Sequence, residues 1–126
     1  MRKMKHMFRI DIQSSKGIAT LACSGSLIYG VETEMLRTML MSRPEETLRI
    51  DLSKVHRVDA SGLGLLVEFQ AWARKKRRNL DLLDPSEQVW RMVILTKLYL
   101  PLQIRYSDVA TISQEYGLDD CREMIA

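Results

Sequence analysis

Hydrophobic and polar residues alternate along the first part of the chain with the period of a β-strand. Phe8, Ile10 and Ile12 fall on one side of such a strand, and the polar residues between them fall on the other. The sequence SSKG that follows is typical of a turn, and residues 18–23 are predicted to return as a second strand. We therefore expect residues 7–23 to form an opening β-hairpin.

Further along the chain, apolar residues recur every three or four positions, which is the period of an α-helix. Proline, serine and glycine mark where the predicted helices begin and end. The first predicted helix covers residues 31–41; the second runs from Gly62 to Arg77; the third is opened by Pro85 and Ser86 and stopped by Pro101; the fourth is capped by Ser107 and ends at Gly117.

The second predicted helix is apolar over so broad an arc that we expect the sheet and neighbouring helices to cover most of it. Phe69 and Trp72 share the side of Leu65, so both are predicted to belong to the core. Asn79 is suited to a left-handed cap at the end of this helix.

Short apolar segments separate the predicted helices and are expected to be strands. They cover residues 47–53, a second extended stretch at 55–58, residues 80–84 and residues 102–106. An opening hairpin followed by alternating helices and strands predicts the α/β class, with a mixed sheet packed by about four helices. No linker or repeat interrupts the pattern, so we expect residues 1–126 to form a single domain.

Composition narrows the classes of function. No apolar run approaches the roughly 18 residues of a membrane span, and the N-terminus lacks the apolar stretch of a signal peptide, so we expect a cytoplasmic protein without membrane insertion. Cys23 and Cys121 form no metal-ligand pair, and Cys23 is predicted to be a buried free thiol. We expect no metal and no cofactor.

The net charge of +3 depends on one basic run, residues 74–78. Without this run, acidic residues slightly outnumber basic ones. The run lies where the second helix should end, and cations there interact favourably with the helix dipole. It also lacks the interleaved aromatic residues that stack on bases. We therefore expect a solvated helix end rather than a polyanion site, and no direct contact with nucleic acid.

The sequence VDASGLGLL, residues 58–66, joins a predicted strand to the second helix. Ser61 is placed to be the N-cap of that helix, which would be a purely structural role. A cap does not explain Gly62 and Gly64, since each glycine in a first turn costs about 1 kcal/mol relative to alanine. Bare backbone at a helix start also suits a phosphate, and one attached to Ser61 would repel Asp59. The local pattern therefore leaves both a plain cap and a charge switch open at this joint.

Catalysis has little support at this joint. Ser61 lacks the glycine two places before it that a G-x-S-x-G nucleophile elbow requires. His56 is only five residues away in the same extended stretch, which makes it a poor triad partner. No phosphate-binding P-loop motif is present. We expect no catalytic residues and no enzyme activity.

The sequence LRIDLSKVHRVDASGLGLLVEF, residues 48–69, resembles the STAS domain of the anti-sigma factor antagonist (anti-anti-sigma factor) family. In that family a strand ending in DLS leads to Asp-Ser-Ser-Gly-Leu-Gly or a close variant, which opens a helix. The opening hairpin, the G-x-L sequence at residues 25–27 and the later order of elements extend the resemblance over nearly the whole chain.

The resemblance implies a domain that binds an anti-sigma factor with serine-kinase activity. In the family the serine before the first glycine is phosphorylated, which corresponds to Ser61 here. The unmodified form sequesters the kinase and frees the sigma factor, and a serine phosphatase restores that form. By the same resemblance, the surface that meets the partner comprises Asp59, Ala60, Ser61, Gly62, Leu63 and Gly64.

The sequence departs from the family pattern at two positions. Ala60 replaces the first serine of the usual pair and leaves the acceptor serine intact. Ile28 stands three places after the glycine of G-x-L, where the family usually has an acidic residue. This second departure bears on the kinase partnership and on the rate of phosphorylation.

Three functions therefore stay open at this point. The leading hypothesis is a phosphorylation-switched anti-sigma factor antagonist. The second is a STAS adaptor that is never phosphorylated and docks on another protein, such as a transporter ATPase or a signalling complex. The third is a small nucleotide-binding or nucleotide-hydrolysing protein that uses the helix start at Ser61.

Overall fold

The computed structural model describes residues 8–107 and contains five strands and three helices in that range. In chain order they are β1 (Arg9–Ser15), β2 (Ile18–Leu27), α1 (Val31–Met41), β3 (Thr47–Val58), α2 (Ala60–Lys75), β4 (Asn79–Leu83), α3 (Glu87–Thr96) and β5 (Ile104–Arg105). This order confirms the predicted α/β class and the opening hairpin. The helix predicted from Ser107 to Gly117 lies outside the described residues, as does Cys121.

The strands form one mixed sheet in the order β1-β2-β3-β4-β5. β1 pairs antiparallel with β2, and every other neighbouring pair is parallel. The two extended stretches predicted at 47–53 and 55–58 are a single strand, β3, whose pairing with β2 shifts register after Ala22. The alternating residues Leu48, Ile50 and Leu52 of β3 are buried, which places the core on one face of the sheet.

Helix α1 begins and ends where its pattern predicted, and Leu36 and Leu40 are fully buried. Val31 continues the apolar face of this helix by its period, but its side chain is 74% exposed. The helical period alone therefore does not decide whether the first residue of this helix is buried.

Helix α2 begins two residues earlier and ends two residues earlier than predicted. Its N-cap is Asp59, whose side chain accepts a hydrogen bond from the backbone N–H of Gly62. At the other end Arg77, and not Asn79, takes the left-handed conformation, with φ of 57°. Asn79 instead opens β4, where its N–H donates to the carbonyl of Glu46 over 2.9 Å. The sequence therefore predicted a side-chain N-cap and a left-handed residue after the helix correctly, but it assigned each to the wrong residue.

The core prediction for α2 is confirmed at Phe69, which is fully buried, but only in part at Trp72. Trp72 is half-buried at the edge of the core, and the guanidinium carbon of Arg78 lies 5.0 Å from its ring centroid. Residues 74–77 are exposed, in agreement with a solvated helix end. Arg78 is the exception, since it is half-buried and its Nε donates to the carbonyl of Glu45 over 3.0 Å.

Cys23 is buried and not disulfide-bonded, as predicted. Burial, with a smaller contribution from the charge of Asp51, raises the pKa of the Cys23 thiol to about 12. A thiol with so high a pKa stays protonated near neutral pH, so it is chemically inert there. Within residues 8–107, no helix has the length and apolarity needed to cross a membrane.

Candidate functional site

The joint at residues 58–64 lies at the edge of the sheet where the parallel strands end. Leu27, the last residue of β2, pairs with Val58, the last residue of β3. Helices α1 and α2 follow these two strands, so their first turns lie side by side. In α/β sheets this carboxyl edge is the usual place for a binding site.

Asp59 holds the two helix starts together. Its Oδ1 accepts a hydrogen bond from the N–H of Gly62 over 2.8 Å, and its Oδ2 accepts one from the N–H of Tyr29 over 2.9 Å. Its carbonyl accepts the first intrahelical bond of α2, from the N–H of Leu63 at 3.0 Å. One side chain thus caps α2 and fixes the loop that leads into α1.

These contacts keep Asp59 ionised. Partial burial alone would raise the pKa of the Asp59 carboxyl, but the backbone N–H groups of Tyr29, Gly62 and Ser61 favour its charged form. The net effect holds the pKa of Asp59 below its ordinary value. A negative charge is therefore present at the start of α2 at neutral pH.

Ser61 is the second residue of α2 and is exposed. It is not the N-cap, because Asp59 occupies that position two residues earlier. Within residues 8–107 the Ser61 hydroxyl has no hydrogen-bond partner. The capping explanation for this serine is therefore wrong, and its side chain has no structural task in this part of the chain.

The two glycines of the joint have different physical roles. Gly62 is buried, and a Cβ there would clash with the carbonyl of Leu27 and would lie 2.8 Å from a methyl group of Val58. The close approach that its bare backbone permits is to the protein's own β2. Gly64 is exposed, and a Cβ there would meet nothing within 4 Å. The fold within the described residues therefore gives no reason for glycine at position 64.

The six residues predicted to meet a partner divide into an exposed and a buried set. Ala60, Ser61 and Gly64 are exposed, and Asp59 is half-buried. Gly62 and Leu63 are buried, and the Leu63 side chain is only 1% exposed. Of these six residues, the exposed set is therefore the part that a partner can contact, while Leu63 anchors the turn in the core.

Two further residues at this edge were not singled out by the sequence. Tyr29 and Val31 are 79% and 74% exposed, although both are large and apolar. They border a groove of about 650 Å³ that continues along α1 past Met35 and Met39. One local signal could have indicated Tyr29: an aromatic residue next to Gly30, in a loop between a buried strand and a helix, has little core to enter.

A mixed five-stranded sheet whose third strand leads through Asp-Ala-Ser-Gly-Leu-Gly into an exposed helix start defines the class of STAS domains. The family model described as "Mlab, STAS domain" matches residues 13–99, which is more than half of the chain. The chain belongs to this family of STAS domains.

Solved structures with the same fold include several anti-sigma factor antagonists. Unphosphorylated SpoIIAA aligns with a TM-score of 0.63 at 16% identity, covering 88% of this chain and 97% of its own. An anti-sigma factor antagonist from Mycobacterium paratuberculosis aligns with a TM-score of 0.63 at 19% identity, covering 95% of both chains. Phosphorylated SpoIIAA from Bacillus aligns with a TM-score of 0.60 at 15% identity, covering 86% of this chain and 98% of its own.

At these identities the likeness establishes the fold alone. Among curated proteins, none matches the sequence significantly. The function of this chain therefore has to be argued from its own residues.

Proposed function

We propose that the chain is an anti-sigma factor antagonist, a binding module that sequesters an anti-sigma factor with serine-kinase activity while Ser61 is unphosphorylated. The observation that carries the proposal is that Ser61 and Gly64 are both exposed in the first turns of α2. The Ser61 hydroxyl has no hydrogen-bond partner among the described residues. Ser61 offers a hydroxyl to a kinase, and Gly64 offers bare backbone that a partner can approach closely.

The surroundings of Ser61 support a switch. A phosphoryl group would carry about −1.5 to −2 charges at neutral pH. It would lie close to the ionised Asp59, at the edge of the sheet that also exposes the apolar side chains of Tyr29 and Val31. A partner packed against this surface would have to desolvate the added charge, so phosphorylation is expected to release it. A serine phosphatase would restore the binding form.

Among residues 8–107, neither His56 nor Asp59 is placed to act as a general base for Ser61. His56 is exposed on β3, and nothing in its contacts within residues 8–107 directs it toward Ser61. Asp59 is engaged by two backbone N–H groups, so both of its oxygens already accept hydrogen bonds. We therefore propose a cytoplasmic binding protein without catalytic activity, metal or cofactor, which does not itself contact nucleic acid.

A second candidate is a STAS adaptor that is never phosphorylated and docks on another protein, such as a transporter ATPase. Two observations favour it. Ile28 stands where anti-sigma factor antagonists usually carry an acidic residue, and the matching family model carries the description Mlab. This candidate uses the same exposed surface and differs only in the chemistry of Ser61.

Charge variants at Ser61 separate the two candidates. Ser61→Ala removes a hydroxyl without a described partner, so stability should change by less than about 0.5 kcal/mol and binding should persist. Ser61→Asp adds charge beside Asp59 and should weaken binding at least tenfold under the switch. Ser15→Asp is the matched control, because Ser15 is exposed at the opposite end of the sheet.

The measurement is the affinity of each variant for the partner recovered by pull-down with the wild-type chain. Mass spectrometry after incubation with ATP and cell extract then tests Ser61 for phosphate. Phosphate on Ser61 with weakened Ser61→Asp binding supports the antagonist. An unmodified Ser61, with Ser61→Asp binding like the wild type, would contradict the switch and leave the adaptor.

A further inference from the structure

An exposed apolar groove runs along α1 from the loop that Asp59 ties to the start of α2, and it is not part of the surface that the sequence predicted. We define the α1 strip as Tyr29, Val31, Met35 and Met39. Tyr29 and Val31 are 79% and 74% exposed, and the two methionines are half-buried along the same groove of about 650 Å³. Contiguous exposed apolar surface of this kind is typical of an interaction site.

The α1 strip has the geometry of a helix-packing ridge. Val31, Met35 and Met39 are four residues apart, so they form one row along α1. The row lies away from α2, because Arg37 forms an ion pair with Glu68 of α2 from the opposite side of the helix. At 1.5 Å per residue the row is about 12 Å long, which matches about two turns of a second helix.

The α1 strip is continuous with the turn that carries Ser61. Asp59 accepts hydrogen bonds from both Tyr29 and Gly62, so the first residue of the strip is held one side chain away from the start of α2. A protein that contacts the start of α2 can therefore also contact Tyr29 in the neighbouring loop.

Charge limits the chemistry of the occupant. Glu34 is the only carboxylate or cation that lines the groove, and Arg37 pairs with it over 3.6 Å. Glu32 adds a second carboxylate in the same first turn of α1, and no lysine or arginine lines the groove. Methionine side chains adapt to apolar partners of varied shape. An apolar row flanked by lysine or arginine fits this surface, whereas an acidic segment would meet like charge.

We propose that the α1 strip receives an apolar helix with basic flanks from the same partner that contacts Ser61. The inference rests on the proposed function and assigns two separate contributions to binding. The strip supplies affinity in both states of the switch, since its apolar contacts do not involve the serine. Ser61 and Gly64 supply the sensitivity to phosphate.

The test uses the full chain and the purified partner that the wild type captures. Val31→Ser and Tyr29→Ala should each weaken binding about tenfold, as truncation of a buried apolar anchor does. Leu95→Ser and Leu100→Ala are matched controls, because these residues are 77% and 78% exposed outside the strip. Their affinities should stay within about twofold of the wild type. Melting temperatures of all four variants should match the wild type, because the residues are exposed.

The outcomes separate this inference from the proposed function. If Ser61→Asp weakens binding while the strip variants do not, the strip proposal is overturned and the switch stands. If the strip variants weaken binding while Ser61→Asp does not, the strip is supported and the switch is overturned. Self-association of the wild-type chain that Val31→Ser abolishes would make a second copy the occupant and overturn the proposed partner helix. If the wild type captures no partner, both proposals fall.

Discussion

The two ends of α2 treat charged and apolar groups in opposite ways. At the C-terminal end, Arg78 donates to the carbonyl of Glu45 and stacks over Trp72, so a cation from the basic run is used inside the fold. At the N-terminal end, Tyr29 and Val31 are exposed and the Ser61 hydroxyl has no described partner. Arg78 is thus used by the fold, whereas the hydroxyl and the two apolar side chains at the other end are left open to a partner.

The difference teaches how to choose a candidate site. The basic run is the most conspicuous charge feature of the sequence, yet its half-buried member, Arg78, has a structural partner within the described residues. The joint at Ser61 contains features that the fold does not explain, and Gly64 is the clearest of them. Gly64 costs helix stability and has no packing reason among the described residues, so it is better evidence of an interaction site than Arg78, whose charge already has a partner in the fold.

The largest effect is expected from the two glycines of α2. Gly62→Ala should destabilise the fold by about 3 kcal/mol or more, because the new methyl group would overlap the backbone of β2. Gly64→Ala should stabilise it by up to about 1 kcal/mol, since alanine is the better helix former and meets nothing. Urea unfolding of both variants measures this contrast.

Partner binding sharpens the same contrast. Gly64→Ala should weaken binding although the protein is more stable, if bare backbone at position 64 serves the interface. A Gly64→Ala variant that binds like the wild type would show that this glycine has no role in docking.

The next largest effect is expected at the opposite end of α2. Arg78→Ala removes hydrogen bonds to backbone carbonyls and the contact with Trp72, and should destabilise the protein by about 2 kcal/mol. Arg77→Ala is the control, because the Arg77 side chain is exposed. Its positive φ strains an alanine as much as an arginine, so the substitution leaves the backbone strain unchanged. It should change stability by less than about 0.5 kcal/mol. If Arg78→Ala and Arg77→Ala change the free energy of unfolding equally, Arg78 contributes no more to stability than the solvated residues of the basic run.

A smaller effect is expected from Asp59. Asp59→Ala removes the cap of α2 and the tether to Tyr29, and should destabilise the protein by about 1–2 kcal/mol. Asp59→Asn keeps one acceptor oxygen and should recover part of that loss. If Asp59→Ala unfolds like the wild type in urea, the carboxylate does not hold the two helix starts together.

The smallest effect is expected in acid and concerns Glu45, at the end of the sheet occupied by Arg78. Hydrogen bonds from Arg43 first, and then from Ser14, lower the pKa of the Glu45 carboxyl to about 2. A lowered pKa in the folded state stabilises the protein above the ordinary carboxyl value, and this contribution is lost as the pH falls from about 4.5 toward 2.

Glu45→Gln should therefore flatten the decline of stability over that range of pH, while leaving the Asp59 contribution in place. Urea unfolding at a series of pH values provides the measurement. A decline in Glu45→Gln as steep as in the wild type would mean that other carboxyls carry the acid sensitivity.

Local sequence patterns determined much of this protein. The α1 boundaries, the opening hairpin and the burial of Phe69 follow from periods of two or 3.6 residues, which act over a few neighbours. The exposed serine at a strand-to-helix joint was also predictable, because glycines and a helix start are local features. The family resemblance used the same short stretch.

Only the tertiary structure decided which of the candidate residues are free. Asp59, rather than Ser61, caps α2, and its second oxygen binds Tyr29 at a separation of 30 residues. Arg78 donates a hydrogen bond to the carbonyl of Glu45, 33 residues away in the sequence, so it is not a solvated residue like its neighbours in the run. Such contacts depend on how distant segments meet at the sheet edge, and no short-range pattern encodes that meeting. For the same physical reason, only the packed fold separates Gly62, which β2 requires, from Gly64, which it does not.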